Sequence, residues 1–76
     1  MKRNKVEKFF RDYLTELGID CSRWQCIVRI TEKNYRSTTY DVKFYWSNGY
    51  FDFVGVYSEN GQIKDFKYPE LHSIGV

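Results

Sequence analysis

Cys21 and Cys26 form a Cys-x4-Cys pair, His72 is the one histidine, and Asp41, Asp52 and Asp65 interrupt an aromatic-rich middle section. These side chains could do more than pack. A structural zinc takes four N, S or O ligands, and here the third and fourth would have to come from His72 and a distant acid. A catalytic histidine needs a nucleophile or carboxylate held beside it, and no Ser or Cys motif accompanies His72. No glycine-rich phosphate loop is present, because Gly49 and Gly61 each follow an asparagine in a turn dipeptide. The reading is therefore of a protein that is not an enzyme and takes neither metal nor cofactor. Cys26 reads as a small buried hydrophobe. Both cysteines read as free thiols, with a Cys21–Cys26 disulfide as the alternative.

The elements that position these residues follow from periodicity. Over residues 4–18, Val6, Phe9, Phe10, Tyr13, Leu14 and Leu17 recur at helical spacing and form one apolar stripe. Asn4 with Glu7 resembles a capping box, and Gly18 suits the left-handed residue that closes a helix. From Arg23 the period changes to two. Trp24, Cys26, Val28 and Ile30 alternate with polar residues, and Tyr40, Val42, Phe44 and Trp46 do the same.

Asn48-Gly49 and Asn60-Gly61 favour two-residue type I′ turns. With those dipeptides at the turns, Trp46 faces Phe51, Phe44 faces Phe53 and Val42 faces Gly55. In the next hairpin Phe53 faces Tyr68, Gly55 faces Phe66 and Tyr57 faces Lys64. The large residues then share one side of three strands, which a one-residue slip would destroy. A loop over Lys33–Ser37 pairs Trp24 with Trp46 and Val28 with Val42. Gly55 is expected on the core face, leaving room for Phe10 or Tyr13 of the helix; the alternative is a β-bulge. The fold class is α+β: one N-terminal helix on one face of a four-stranded antiparallel meander, order 1-2-3-4. Residues 1–76 form a single α-β-β-β-β domain, with 69–76 as a C-terminal tail from which Leu71 and Ile74 pack or fray.

A chain of 76 residues buries only about 60% of its unfolded surface, so large core residues matter, and 20% of this chain is aromatic. The net charge of +2 does not demand nucleic acid, although Lys2, Arg3, Lys5, Lys8 and Arg11 cluster at the start. No apolar h-region opens the chain and no run approaches the ~20 residues of a membrane span, so a cytoplasmic protein is expected.

With the helix on one side, the other sheet face is uncovered. Ile27, Arg29, Lys43, Tyr45, Tyr50, Val54, Val56 and Lys67 are expected there, with Ile27, Lys43, Val54 and Lys67 in one row and Asp41 opposite Arg29. Tyr and apolar groups rimmed by charge fit a protein partner. The expected function is a stoichiometric protein-binding module of the inhibitor or adaptor kind, phage-type inhibitors of host enzymes being examples. It would act through that face or an edge strand, with a homodimer as a special case. Single-stranded nucleic-acid binding by the same basic and aromatic face ranks second.

Overall fold

The apolar stripe is helix α1 (Arg3–Glu16) in the computed structural model, which describes residues 2–73. Val6, Phe10 and Leu14 are fully buried. The helix ends as expected. Gly18 takes φ +83°, its N–H donates to Thr15 O (2.9 Å), and Ile19 N–H donates to Leu14 O (3.0 Å). These two bonds are a Schellman closure. The start differs from expectation: Lys2 is the cap and no side chain caps the helix. Glu7 is instead drawn to Arg11, whose Nε donates to Glu7 Oε2 at 2.8 Å. Arg11 also donates to the carbonyls of Cys21 and Trp24, tying the following connection to the helix.

The strands are β1 (Gln25–Lys33), β2 (Ser37–Trp46), β3 (Gly49–Glu59), β4 (Gln62–Asp65) and β5 (Glu70–Ser73). They form an antiparallel sheet in the order β1-β2-β3-β4, with β5 added to the β4 edge of β3. The expected tail is thus a strand from 70 to 73; Ile74 lies outside the described residues. β3 is long enough to carry both partners. β4 pairs with Tyr57–Glu59 and β5 with Gly49–Asp52. Between them, residues 66–69 leave the sheet. Phe66 inserts beneath the helix, with ring centroids 5.0 Å from Phe10, 5.1 Å from Tyr13 and 5.7 Å from Phe9. Pro69, which has no N–H to give a ladder, is buried at the same break. The expected Phe53–Tyr68 and Gly55–Phe66 pairings therefore do not form, and a register shift between Tyr57 and Ser58 sets Tyr57 opposite Asp65 rather than the expected Lys64.

The first hairpin matches expectation as far as Ile30, with Val28 opposite Val42 and the Trp24 and Trp46 rings 4.6 Å apart, whereas a register shift between Ile30 and Glu32 sets Lys33, expected in the loop, opposite Thr38. The Asn60-Gly61 turn also does: φ is +52° and +77° at its two residues, the signature of type I′. The Asn48-Gly49 turn does not. Trp46 pairs with Gly49, so Ser47 and Asn48 make the turn, and the register is Phe44 to Phe51 and Val42 to Phe53. A shift of two residues keeps the face parity, so the aromatic side survives.

The glycines exchange their expected roles. A Cβ on Gly49 would lie 2.3 Å from the His72 carbonyl oxygen and 3.1 Å from the Trp46 ring, so Gly49 is where another backbone approaches closely. Gly55 has open space around it and a φ of +70°. It is a β-bulge: β3 spends an extra residue there, so that Tyr40 pairs with Val56 and Val42 with Phe53. The bulge reverses the alternation beyond it. Val56, expected on the outer face, is fully buried in the core with Tyr40, Val42, Phe44 and Phe53.

Substitutions at the two glycines should separate these roles. Gly49→Ala should cost about 1–3 kcal/mol, because β5 must move away from the added methyl. Gly55→Val should cost roughly 1–2 kcal/mol or more from the left-handed backbone, and Gly55→Asn clearly less. Urea denaturation midpoints measure both. A Gly49→Ala midpoint at the wild-type value would show that β5 is not held against β3; equal midpoints for Gly55→Val and Gly55→Asn would remove the bulge.

Candidate functional site

Strand alternation places Ile27, Arg29, Asp41, Lys43, Tyr45, Tyr50, Asp52, Val54, Glu70 and His72 on the face opposite the helix. Two rows cross four strands. One runs Gln25, Tyr45, Tyr50, His72, and the other Ile27, Lys43, Asp52, Glu70. The expected row of Ile27, Lys43, Val54 and Lys67 is not formed. Lys43 faces Asp52 because of the two-residue shift at the hairpin, and Lys67 lies in the connection between β4 and β5. Of the remaining expected residues, Ile27, Arg29, Lys43, Tyr45, Tyr50 and Val54 do share the uncovered face. Ile27 and Val54 are 47% and 49% exposed.

The first row is a column of rings. Tyr45 and Tyr50 have centroids 4.9 Å apart, and Tyr50 stacks on His72 at 4.7 Å with an interplanar angle of 12°. By its place after Pro69, His72 reads from the sequence as part of a tail, whereas it lies in β5. Four residues of strand are too short a run to show a period, and no turn dipeptide announces β5. Its Nε2 lies 3.3 Å from Glu70 Oε1. Lys43 Nζ sits 5.6 Å from the Tyr50 centroid, within cation–π range.

The electrostatic centre lies beside the second row, at the Arg29–Asp41 pair and its neighbours Lys43 and Asp52. Asp41 is only 8% exposed although it points away from the core. Its Oδ2 accepts from Arg29 Nη2 at 3.4 Å, the expected cross-strand pair, and lies 3.6 Å from Lys43 Nζ. Asp41 Oδ1 and Asp52 Oδ1 are both buried and meet no donor while both groups are ionised. A proton on Asp52 supplies one. Burial, first, then the hydrogen bond to Asp41 and the Asp41 charge push the Asp52 carboxyl up to about 6. Sequence reasoning sets Asp41 on this face opposite Arg29, and alternation puts Asp52 on the same side. It missed their pairing, because Asp41 and Asp52 become neighbours only in the observed register.

The thiols are less available. Both cysteines are free; Cys21 is the buried one, and Cys26, expected as a buried hydrophobe, is half-buried. Burial, ahead of the Glu7 charge, pushes the Cys26 thiol up to about 12, so it is a poor nucleophile at neutral pH. Among the described residues no group of three or more His, Cys, Asp or Glu side chains converges to hold a metal ion. No helix of the described residues is long and apolar enough to cross a membrane.

The free edge of β1 is partly occupied. Arg3 Nε donates to Val28 O at 3.2 Å and Arg11 Nη2 to Trp24 O at 2.7 Å. Side chains on edge carbonyls hinder strand addition there.

No protein-family model matches the chain, and neither a curated protein nor a solved structure shows significant similarity to it.

The shared proton predicts an inverted pH response. Asp52 holds its proton more tightly folded than unfolded. The resulting stabilisation is complete below the unfolded value of about 4 and is lost as pH rises through about 6. Asp52→Asn, whose amide can donate to Asp41 at every pH, should gain in Tm relative to wild type as pH rises from about 4 to about 7. A Tm difference that stays constant across that range, read by circular dichroism, would show that the two carboxyls do not share a proton.

Proposed function

We propose that this chain is a non-catalytic, cytoplasmic protein-binding module of the stoichiometric inhibitor or adaptor kind, acting through the uncovered sheet face. One observation carries the reading: exposed Ile27 and Val54 share that face with the half-buried column Tyr45–Tyr50–His72, and Arg29, Lys43 and Glu70 lie among them. Aromatic and apolar groups among charges are the composition of protein interfaces. A partner that covers Ile27 and Val54 would remove apolar surface from water at roughly 25 cal/mol per Å².

The geometry weighs against the nucleic-acid alternative. Base stacking needs a free ring face, but Tyr50 lies between Tyr45 on β2 and His72 on β5. Asp41, Asp52 and Glu70 on the same face repel phosphate. Strand addition at β1 is hindered by Arg3 and Arg11, which favours the face over that edge. A second copy of the chain is one protein the face could take.

The test is affinity capture from nuclease-treated lysate with tagged wild type, Val54→Asp, Tyr45→Ala and a helix control, Lys5→Glu, all confirmed folded. Interface anchors are worth about 2 kcal/mol or more, so Val54→Asp should reduce capture of a bound protein by roughly thirtyfold or more, and Lys5→Glu should leave it unchanged. Capture that survives both Val54→Asp and Tyr45→Ala would remove the face as the interface. Capture that disappears with nuclease, and is weakened more by Lys43→Glu than by Tyr45→Ala, would replace it with the nucleic-acid reading.

A further inference from the structure

At the opposite end of the β2–β3 hairpin from Ser47-Asn48, the β1–β2 loop and the Asn60-Gly61 turn meet around a cleft of about 590 Å³. That volume lies in the range of small-molecule sites, about 300–1,000 Å³. The walls are tied together by backbone. Asn60 N–H donates to Arg36 O at 2.9 Å and Asn34 N–H to Ser37 O at 2.8 Å. Beneath them the Ser58 hydroxyl donates to Thr38 O at 2.9 Å. The first bond joins the two loops, the second closes the β1–β2 loop on itself, and the third ties β3 to β2 below them.

The chemistry of the lining is one-sided. It contains Lys33 and Arg36, the amide side chains of Asn34 and Asn60, and the hydroxyl of Ser37, but no Asp or Glu. Neither Lys33 nor Arg36 has a carboxylate partner among the described residues, whereas Arg11, Arg29 and Lys43 each have one. Glu59, beside the turn in sequence, accepts from the Tyr57 hydroxyl at 2.9 Å and is not part of the lining. Two unpaired cations and several neutral donors facing one cleft suit a compact anion. Arg, with its planar fork, suits a phosphate in particular.

Tyr35 adds a second requirement. Its ring is 95% exposed in the same lining, with the Arg36 guanidinium 5.8 Å from its centroid. A ring left almost wholly in water has a face free to stack, unlike Tyr50. Phosphate and a planar ring together define the ligand class. We propose that this cleft is a binding site for a small phosphorylated molecule of the nucleotide class, with its phosphate between Lys33 and Arg36 and its ring laid on Tyr35. The site lies on the two loops rather than on the outer sheet face and does not depend on the reading of that face.

The test is a titration of ¹⁵N-labelled protein, followed by amide shifts, with ADP, adenosine and inorganic pyrophosphate at about 150 mM salt. ADP should saturate below about 1 mM, with shifts confined to residues 33–38 and 58–61. Adenosine should bind at least about tenfold more weakly, since it lacks the charge-assisted contacts. Arg36→Glu should weaken ADP at least about tenfold. Tyr35→Ala should weaken ADP at least about fivefold and leave pyrophosphate unchanged, because only the nucleotide stacks. Lys64→Glu, the same charge change outside the lining, should do little. The proposal is overturned if ADP produces no saturable shifts up to about 10 mM. It is overturned equally if the shifts spread over the basic residues of the helix, or if Lys64→Glu weakens ADP as much as Arg36→Glu does. Binding of a single-stranded hexanucleotide more than about tenfold tighter than ADP, on the same amides, would make the ligand a strand rather than a small molecule.

Discussion

The extra residue that β3 spends at Gly55 sets much of the rest of the molecule. A strand without it would keep the alternation of Tyr50, Asp52 and Val54 and send Val56 outward. With it, Val56 turns inward beside Tyr40 and fills the core. The added twist of a bulge coincides with the break in the neighbouring edge, where β4 ends at Asp65 and β5 begins at Glu70. That break frees Phe66 to leave the sheet and meet Phe9, Phe10 and Tyr13. The helix is therefore seated on a ring supplied by the interrupted edge as well as on Phe53, which lies 4.3 Å from Phe10. Only a residue that tolerates positive φ can sit at this position at low cost.

Arg11 makes the second attachment of the helix. It pairs with Glu7, bonds the carbonyls of Cys21 and Trp24, and lies 5.2 Å over the Phe44 ring. One guanidinium thus fixes the helix to the connection that delivers β1. Downstream of that connection, Trp24 meets Trp46 and Phe51 at 4.6 and 5.8 Å. The helix closure at Gly18 aims the chain, and Arg11 holds it. The Cys21 carbonyl also accepts from Trp24 N–H at 3.1 Å, so the turn before β1 is closed by backbone and side chain together.

The helix, the strand order and the first hairpin could be read from the sequence, because each rests on a period repeated over many residues. Val6, Phe10 and Leu14 had one helical phase that buried them all, and Val28 had one partner that kept both apolar sets inward. The glycines were misread because two local rules competed. Asn-Gly is a strong turn signal, yet Gly49 is required in the strand where the His72 carbonyl approaches it. That approach comes from β5, a strand of four residues with no periodic signal of its own. For the same reason His72 was missed as a member of the face. Asp41 and Asp52 could be placed on the outer side by parity, but their pairing depends on the two-residue register shift, which alternation cannot detect. Tyr35, Arg36 and the turn at Asn60 could not be joined by sequence reasoning, since the two loops meet only through the length of β2 and β3.

The outer face holds two features that an ordinary solvated sheet face lacks. One is a pair of carboxyls with buried oxygens that must share a proton to be satisfied. The other is exposed apolar surface at Ile27 and Val54. Replacing either by an ordinary solvated strand pair would be inexpensive, because exposed sheet positions accept most β-forming side chains. The Asp41–Asp52 centre also sets the charge of that face. With the shared proton present, Arg29 and Lys43 face one negative charge; without it they face two, and the centre of the face changes from net positive to neutral. A partner seated on Ile27 and Val54 would meet that difference at close range, where reduced solvent makes a unit charge count for more than it does at the rim.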